Sequence, residues 1–223
     1  MNRSDTPSSD KRPPVNEKVA TRDRILQAAI DVFSAYGLAG GSVDKISKAA
    51  QSHDRMIYYY FGNKEGLFVA VLEEIYRRFN VAESQIEVLA DDPLASLERA
   101  TRFIIHYFRD HPEFVTILNS ENLQRGKHVS MARSTQRYSV IAVGVIDSVI
   151  QQGQAAGLFR PTLRARDIYL MISSLGYFYQ SNRFTLSEFL GERLESDEVF
   201  TRWESFVMDA VRRTVLITPG EPA

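Results

Sequence analysis

Between Thr21 and Phe68 the apolar residues recur at helical spacing and are interrupted three times by turn-forming residues. Fewer than fifty residues must therefore fold as three short helices and the start of a fourth. Ile25, Ala28, Ala29, Val32 and Phe33 share one helical face, with Thr21 as the expected N-cap and Gly37 as the expected stop. Gly40 and Gly41 break the chain before Ser42, which can cap a brief helix that turns Val43, Ile46 and Ala50 inward. Gln51 and Ser52 make the next break. Ile57, Tyr60 and Phe61 form the inward face of a third helix that Gly62 ends. Asn63 can cap a fourth, longer helix, with Glu65 favourable in its first turn and Leu67, Val71, Ile75 and Phe79 along its apolar stripe.

Beyond this the pattern stays helical, with segments expected at 93–110, 112–120, 129–156, 166–182 and 197–216. Pro112 and the Gly157–Pro161 stretch punctuate them. No segment alternates with a period of two between turn signals, so the fold class is all-α. Residues 1–20 hold Pro7, Pro13 and Pro14 and lack hydrophobic periodicity, and so read as a disordered tail. The expected organisation is this tail, a helix-turn-helix unit at 21–66, and a larger helical ligand-binding and dimerisation domain at 67–218.

The outward face of the third helix carries the functional signal. With Ile57, Tyr60 and Phe61 assigned to the core, His53, Arg55, Met56, Tyr58 and Tyr59 are left facing out, an unusual set for a solvated surface. Arg can donate two hydrogen bonds to a guanine edge, Met can pack on a thymine methyl, and Tyr hydroxyls can bind phosphate oxygens. Ser42 and Lys64 begin the flanking helices, whose free N–H groups also favour phosphate. The net charge of -1 argues against a protein that coats nucleic acid. Residues 1–66 nevertheless hold ten Lys and Arg against eight Asp and Glu, while the remainder holds 17 against 20.

The stretch TRDRILQAAIDVFSAYGLAGGSVDKISKAAQSHDRMIYYYFGNKEGLF resembles the DNA-binding domain of the TetR family of bacterial regulators. Its most specific part is the run from Ile57 to Phe61 followed by Asn63, Lys64 and Glu65. The resemblance implies a helix-turn-helix on a helical domain that dimerises through its last two helices and holds an effector between central helices. It also assigns DNA contacts to Ser42, His53, Arg55, Met56, Tyr58, Tyr59 and Lys64. Where the family has Gly, a hydrophobic residue, and Ser or Thr in the turn, this chain has Gln51, Ser52 and His53. Arg55 stands where relatives often carry a small residue, and either reads a base or reaches a phosphate.

The central segments supply aromatic and polar residues for an effector site: Phe103, His106, Tyr107, Asn119, Asn122, Arg125, Tyr138, Tyr177 and Asn182. Gly157–Leu163 and Ser181–Ser187 resemble a TetR subset that includes nicotinate-catabolism repressors, which suggests a small aromatic acid with Arg125 or Arg183 as counter-charge. Phe200, Trp203, Val207, Ala210 and Val211, with Ile168, Met171, Ile172, Leu175 and Phe178, are the expected dimer helices. Two recognition helices would then sit about 34 Å apart on a palindromic double-stranded operator.

With no cysteine and no long apolar run, a cytoplasmic protein without membrane contact is expected. His106, Asp110, His111 and Glu113 have a spacing that a metal could use, but read better as a solvated helix end; no metal or other cofactor is expected. No Gly-rich phosphate loop, nucleophile elbow or metal-ligand set points to an enzyme. The other readings are a DNA-independent partner-binding protein and an activator in place of a repressor.

Overall fold

The computed structural model describes residues 15–89, 91–132 and 135–217, with backbone alone for 15–17 and 135–142. The described chain contains α1 (Val15–Gly40), α2 (Val43–Ala49), α3 (Asp54–Phe61), α4 (Lys64–Glu83), α5 (Pro93–Asp110), α6 (Pro112–Leu123), α7 (Thr135–Ala155), α8 (Ala165–Leu190) and α9 (Asp197–Val215). A 3-10 turn, Val129–Met131, precedes α7. Among the described residues the β-pairing is one isolated bridge, Phe159 to Leu216, so the fold is all-α.

Side-chain caps start several helices: Ser42 Oγ accepts from Lys45 N, Asn63 Oδ1 from Gly66 N, Asp92 Oδ1 from Ala95 N and Ser196 Oγ from Val199 N. Each satisfies an N–H that the helix itself cannot, for about 1 kcal/mol. Gly62 ends α3 at φ 77°, and Gly66 lets α4 pass so close to the Phe61 carbonyl that a β-carbon there would lie 2.2 Å from its oxygen. The sharp α3–α4 corner follows from these two glycines.

Four boundaries differ from the sequence expectation. Helix α1 begins at Val15, so residues 15–20 are helical and Thr21 lies inside the helix, its Oγ1 accepting from Arg24 Nη2 at 3.4 Å instead of capping. The rest of the tail expected at 1–20, residues 1–14 with the three prolines, lies outside the described residues. Helix α6 runs on to Leu123. The segment 129–156 divides into the 3-10 turn and α7. Helix α8 continues past Asn182 to Leu190, because no breaker intervenes before Gly191, which closes it in the left-handed conformation at φ 67°.

One apolar core joins all of this. Helix α5 lies at its centre against α7, α8 and α9, with Leu97, Ile104, Ile105 and Phe108 buried. At the other end α1 packs on α2, α4 and α6. It breaks at Gly37 (φ 64°, ψ 178°), and the N–H freed there, from Leu38, donates to Ser120 Oγ of α6 at 3.0 Å. One turn earlier the hydroxyls of Ser34 and Thr116 are hydrogen-bonded at 2.9 Å. The N-terminal helices are thus fastened to α6 by packing and by two polar contacts.

Candidate nucleic-acid interface and buried polar belt

Helix α2 leads into α3 through a turn in which Gln51 N donates to Lys48 O at 3.1 Å and Ser52 N to Ser47 O at 2.9 Å. Gln51 sits at φ 49°, a left-handed conformation that costs a residue with a β-carbon about 1 kcal/mol. The departure at Gln51–His53 therefore keeps the turn, at some local strain. His53 stands at the N-cap position of α3 with its ring exposed and outside any capping bond.

Helix α3 is anchored by Ile57, fully buried, and presents Arg55, Tyr58 and Tyr59 to solvent, the two tyrosines 53% and 66% exposed. Met56 departs from expectation: it is half-buried and packs on the core, since it lies one turn before Tyr60 on the same flank and its flexible side chain folds inward. Tyr60 meets Tyr59 edge-on, with ring centroids 4.9 Å apart. Ser42 is half-buried and its hydroxyl is occupied by its own cap. Lys64 opens α4 and reaches Ala39 O at 3.4 Å, while Lys45 Nζ donates to Gly40 O at 3.1 Å and lies 4.0 Å from the centre of the Tyr36 ring. Lys45 and exposed Tyr36 extend this basic, aromatic rim; the sequence signal was an aromatic residue in the last turn before Gly37 that the core stripe did not use.

In the larger part of the chain, polar groups form a belt through the core. Tyr177 Oη donates to Asn119 Oδ1 at 2.6 Å, and Asn119 Nδ2 donates to Ser181 Oγ at 3.0 Å. The Tyr76 hydroxyl, pushed up to about 12 by burial, lies within electrostatic reach of Tyr169, Tyr177 and Glu121. Glu83, 1% exposed, acts on Tyr169 in the same way, and burial pushes its carboxyl up to about 7. Glu121 in turn holds His128, whose ring sits edge-on to Phe68 of α4 at 5.2 Å.

Residues 25–71 match the family described as bacterial regulatory proteins of the tetR family, and residues 93–211 match the tetracyclin repressor-like C-terminal domain. The chain is 48% identical over 193 residues to the HTH-type transcriptional repressor NicS of Pseudomonas putida, covering 86% of this chain and 91% of that one. The chain belongs to the TetR family. The HTH-type transcriptional repressor SCO4008 of Streptomyces coelicolor is 29% identical over 156 residues, covering 70% of this chain and 76% of that one. A Rhodococcus regulator of the TetR family superposes with a TM-score of 0.66 at 20% identity, covering 89% of this chain and 98% of that one. FadR of Bacillus subtilis, solved with stearoyl-CoA, superposes at 0.65 and 17% identity, covering 86% and 98%. Among the described residues no helix is long and apolar enough to cross a membrane.

Within this TetR fold the expected effector residues do not converge on one place. Phe103 and Tyr107 join Phe79 and Phe114 in an aromatic cluster, and Asn119 and Tyr177 belong to the polar belt. His106 turns away to Glu204 of α9 at 3.1 Å, and its ring meets Phe200 edge-on; burial lowers its pKa despite Asp110. Asn182 Nδ2 donates to Phe178 O of its own helix at 2.9 Å, and Asn122 is exposed beside the Tyr177 hydroxyl. Arg125 is exposed after the end of α6 at φ 58°, and Arg183 bonds Gln180 O at 2.6 Å and covers the Phe184 ring. Neither arginine reaches the belt, because long charged side chains keep their heads in water. The Tyr138 side chain lies outside the described residues. Among the described residues no group of three or more His, Asp or Glu is arranged for a metal; His111 Nδ1 instead pairs with Glu113 at 3.1 Å.

Glu83 and Asn80 escaped the sequence reading, yet a signal was present. Glu83 falls at the next four-residue step after Leu67, Val71, Ile75 and Phe79, where a core-facing stripe calls for an apolar side chain.

On the opposite side, α8 and α9 present an apolar face. Phe200, Val207, Val211, Ile168 and Ile172 are used up in the core, so the expected dimer stripe is largely internal. The exposed set is instead Leu170, Phe178, Phe184, Phe189, Leu190 and Phe206. Of these, Phe178, Leu190 and Phe206 line a groove of about 490 Å³ that also holds Tyr179 and Trp203, which stack with centroids 5.4 Å apart.

Proposed function

We propose that the chain is a ligand-responsive repressor that binds a palindromic operator as a homodimer and is released by a small aromatic acid. The observation that carries the DNA reading is the pair of exposed tyrosines beside exposed Arg55 on a two-turn helix fixed in place by Ile57. Bulky aromatics on so short a solvent-facing helix gain nothing from water, and phosphate and base edges provide their partners. Helices α1–α3 and the first turn of α4 make the DNA-binding unit; the sequence expectation of 21–66 is extended here to the start of α1. Its contacts are Ser42, His53, Arg55, Tyr58, Tyr59 and Lys64, with Met56 supporting from below and Lys45 added to the rim.

The homodimer reading rests on the large apolar side chains that α8 and α9 expose, Phe178, Phe184, Phe189, Leu190 and Phe206, which a second copy would cover. The effector reading rests on the polar belt beneath the DNA-binding unit and on the resemblance of Gly157–Leu163 and Ser181–Ser187 to regulators of nicotinate catabolism. Repression is read from the two similar proteins, both named transcriptional repressors.

The test is footprinting of the DNA upstream of the chain's own gene, with and without a panel of aromatic acids. A protected, roughly palindromic site that is lost with one acid is the expected result. Protection that no acid relieves removes the effector class, and absence of a selected site from a random-oligonucleotide pool removes the DNA reading.

A further inference from the structure

Helix α6 ends in a basic turn, Gln124-Arg125-Gly126-Lys127, whose cations stay out of the core and the polar belt. Arg125 N donates to Asn122 O at 3.0 Å and Gly126 N to Glu121 O at 3.2 Å, so the turn closes back on the helix. Arg125 (φ 58°) and Gly126 (φ 73°) are both left-handed, a conformation that costs an arginine about 1 kcal/mol. Glu121 accepts from the N–H groups of His128 and Val129 and so fixes the other end of the turn. A braced backbone thus holds the side chains of Gln124, Arg125 and Lys127 out in solvent.

Hydrogen bonds and an ion pair place this turn at the edge of the candidate DNA-binding face. Ser34 meets Thr116, and Leu38 meets Ser120 four positions further along both helices, so here α1 and α6 run side by side in the same direction. The end of α6 therefore arrives beside the Gly40–Ser42 corner. At that corner Lys64 Nζ reaches Ala39 O at 3.4 Å, and Lys127 Nζ pairs with Glu65 Oε1 at 2.8 Å, one residue further on α4. Among the described residues Lys45, Lys64 and Arg125 meet no carboxylate, while Lys127 cancels the charge of Glu65. The rim of cations thus continues without interruption from the helix-turn-helix onto α6. Its sign suits phosphate, and a guanidinium can give a phosphate two parallel hydrogen bonds.

We propose that Arg125 binds a DNA phosphate just outside the helix-turn-helix contacts, and that Lys127 supports it by neutralising Glu65, which would otherwise repel the same backbone. This rests on the DNA reading above and extends that interface from the reading head to the larger domain. The contact adds affinity without base selection, since every sequence offers the same phosphate.

The full chain is titrated against its footprinted operator and against random-sequence DNA at several salt concentrations. Arg125→Ala should weaken both by about fivefold to tenfold at about 0.1 M salt, and make the salt dependence shallower by about one unit per protomer, with Tm unchanged. Arg125→Asn, which suits a left-handed backbone, gives the same readout if the alanine variant folds poorly. Phosphate ethylation interference should reveal in each half-site a flanking phosphate that matters to the wild type and not to the Arg125 variant. Lys127→Ala should also weaken binding, and adding Glu65→Gln to it should restore affinity. Arg99→Ala is the control for net charge, because its partner Glu87 lies beyond the far end of α4, a helix of 20 residues and so about 30 Å long. Arg125 variants that bind no more weakly than Arg99→Ala overturn the inference and leave the DNA reading standing. A Lys127→Ala loss that Glu65→Gln does not repair overturns the role given to Lys127. A folded wild type that selects no DNA overturns the inference and the DNA reading together.

Discussion

Glu121 Oε2 lies 2.8 Å from His128 Nδ1, and Oε1 of the same carboxyl accepts the backbone N–H groups of His128 and Val129 at 2.6 and 2.9 Å. Both side chains are buried, and the His128 ring rests on Phe68, which itself meets Phe33 of α1 edge-on at 5.2 Å. A single carboxyl thus ties the end of α6 to the helices that carry the DNA-binding face. Replacing Glu121 by Ala removes the acceptor of the buried His128 N–H, of the part-buried Val129 N–H and of an imidazole nitrogen, and should cost about 2–4 kcal/mol in urea unfolding. In the surviving folded fraction the effector should release DNA less completely.

Gln51→Gly should stabilise the chain by about 0.5–1 kcal/mol. Glycine accepts the φ of 49° without a β-carbon clash, and this gain exceeds its larger entropy loss on folding. Equilibrium unfolding measures it, and DNA affinity should change little because the turn is already formed. A loss of stability would mean that the Gln51 side chain contributes more than its backbone strain removes.

Arg55→Ala and Tyr59→Phe should separate base reading from phosphate positioning. If Arg55 reads a guanine, its loss costs about 1–3 kcal/mol on the preferred site and relaxes selection at one base pair. If it holds a phosphate, affinity falls evenly across sequences and the salt dependence becomes shallower by about one unit. Tyr59→Phe should weaken all sites alike, with no change in Tm, since the hydroxyl faces solvent in the free protein.

Stability should decline as pH rises between roughly the ordinary Glu value of 4.5 and the Glu83 value of about 7. In that window the folded chain keeps the Glu83 proton and the unfolded chain has lost it, so the folded state binds more protons and each rise in pH favours unfolding. The loss is at most about 3 kcal/mol from this group. Urea titrations at about pH 5 and pH 8 should show it, and Glu83→Gln should remove it.

Phe206→Glu places a charge on the exposed α9 face beside Trp203, with which Phe206 stacks at 5.3 Å. Sedimentation should show the wild type as a dimer and the variant as a folded monomer, with operator affinity falling by more than an order of magnitude as the two-site contact is lost. A dimer that persists in the variant would move the interface elsewhere.

The helix-turn-helix was legible because each of its breaks is written locally: the Ser42 and Asn63 caps and the Gly62 stop act within four residues of themselves. Helix 93–110 was legible for the same reason, with Asp92 and Pro93 at one end and Pro112 beyond the other. What the pattern hid was direction. His106 looked like an effector residue until Glu204, 98 positions away, claimed it. Met56 looked exposed because a helical wheel cannot tell a flank from a face. Conversely, Glu83 was passed over as the polar end of an apolar stripe, since the burial that defines it is supplied by distant helices. Periodicity reports which residues share a side of a helix; what stands opposite that side is set by tertiary packing.

The bond from Leu38 N to Ser120 Oγ also bears on how this protein can be rebuilt. A reading head joined by a loose tether could be cut off and grafted onto another sensor, but here α1 spends its broken turn on a hydroxyl belonging to α6, and Ser34 leans on Thr116 one turn away. A chimaera that swaps residues up to Gly62 while keeping a foreign α6 would leave an amide stranded at the seam and an operator geometry that no longer answers to the sensor. The transferable piece is the head together with Thr116 and Ser120, two residues more than fifty positions downstream of that cut site.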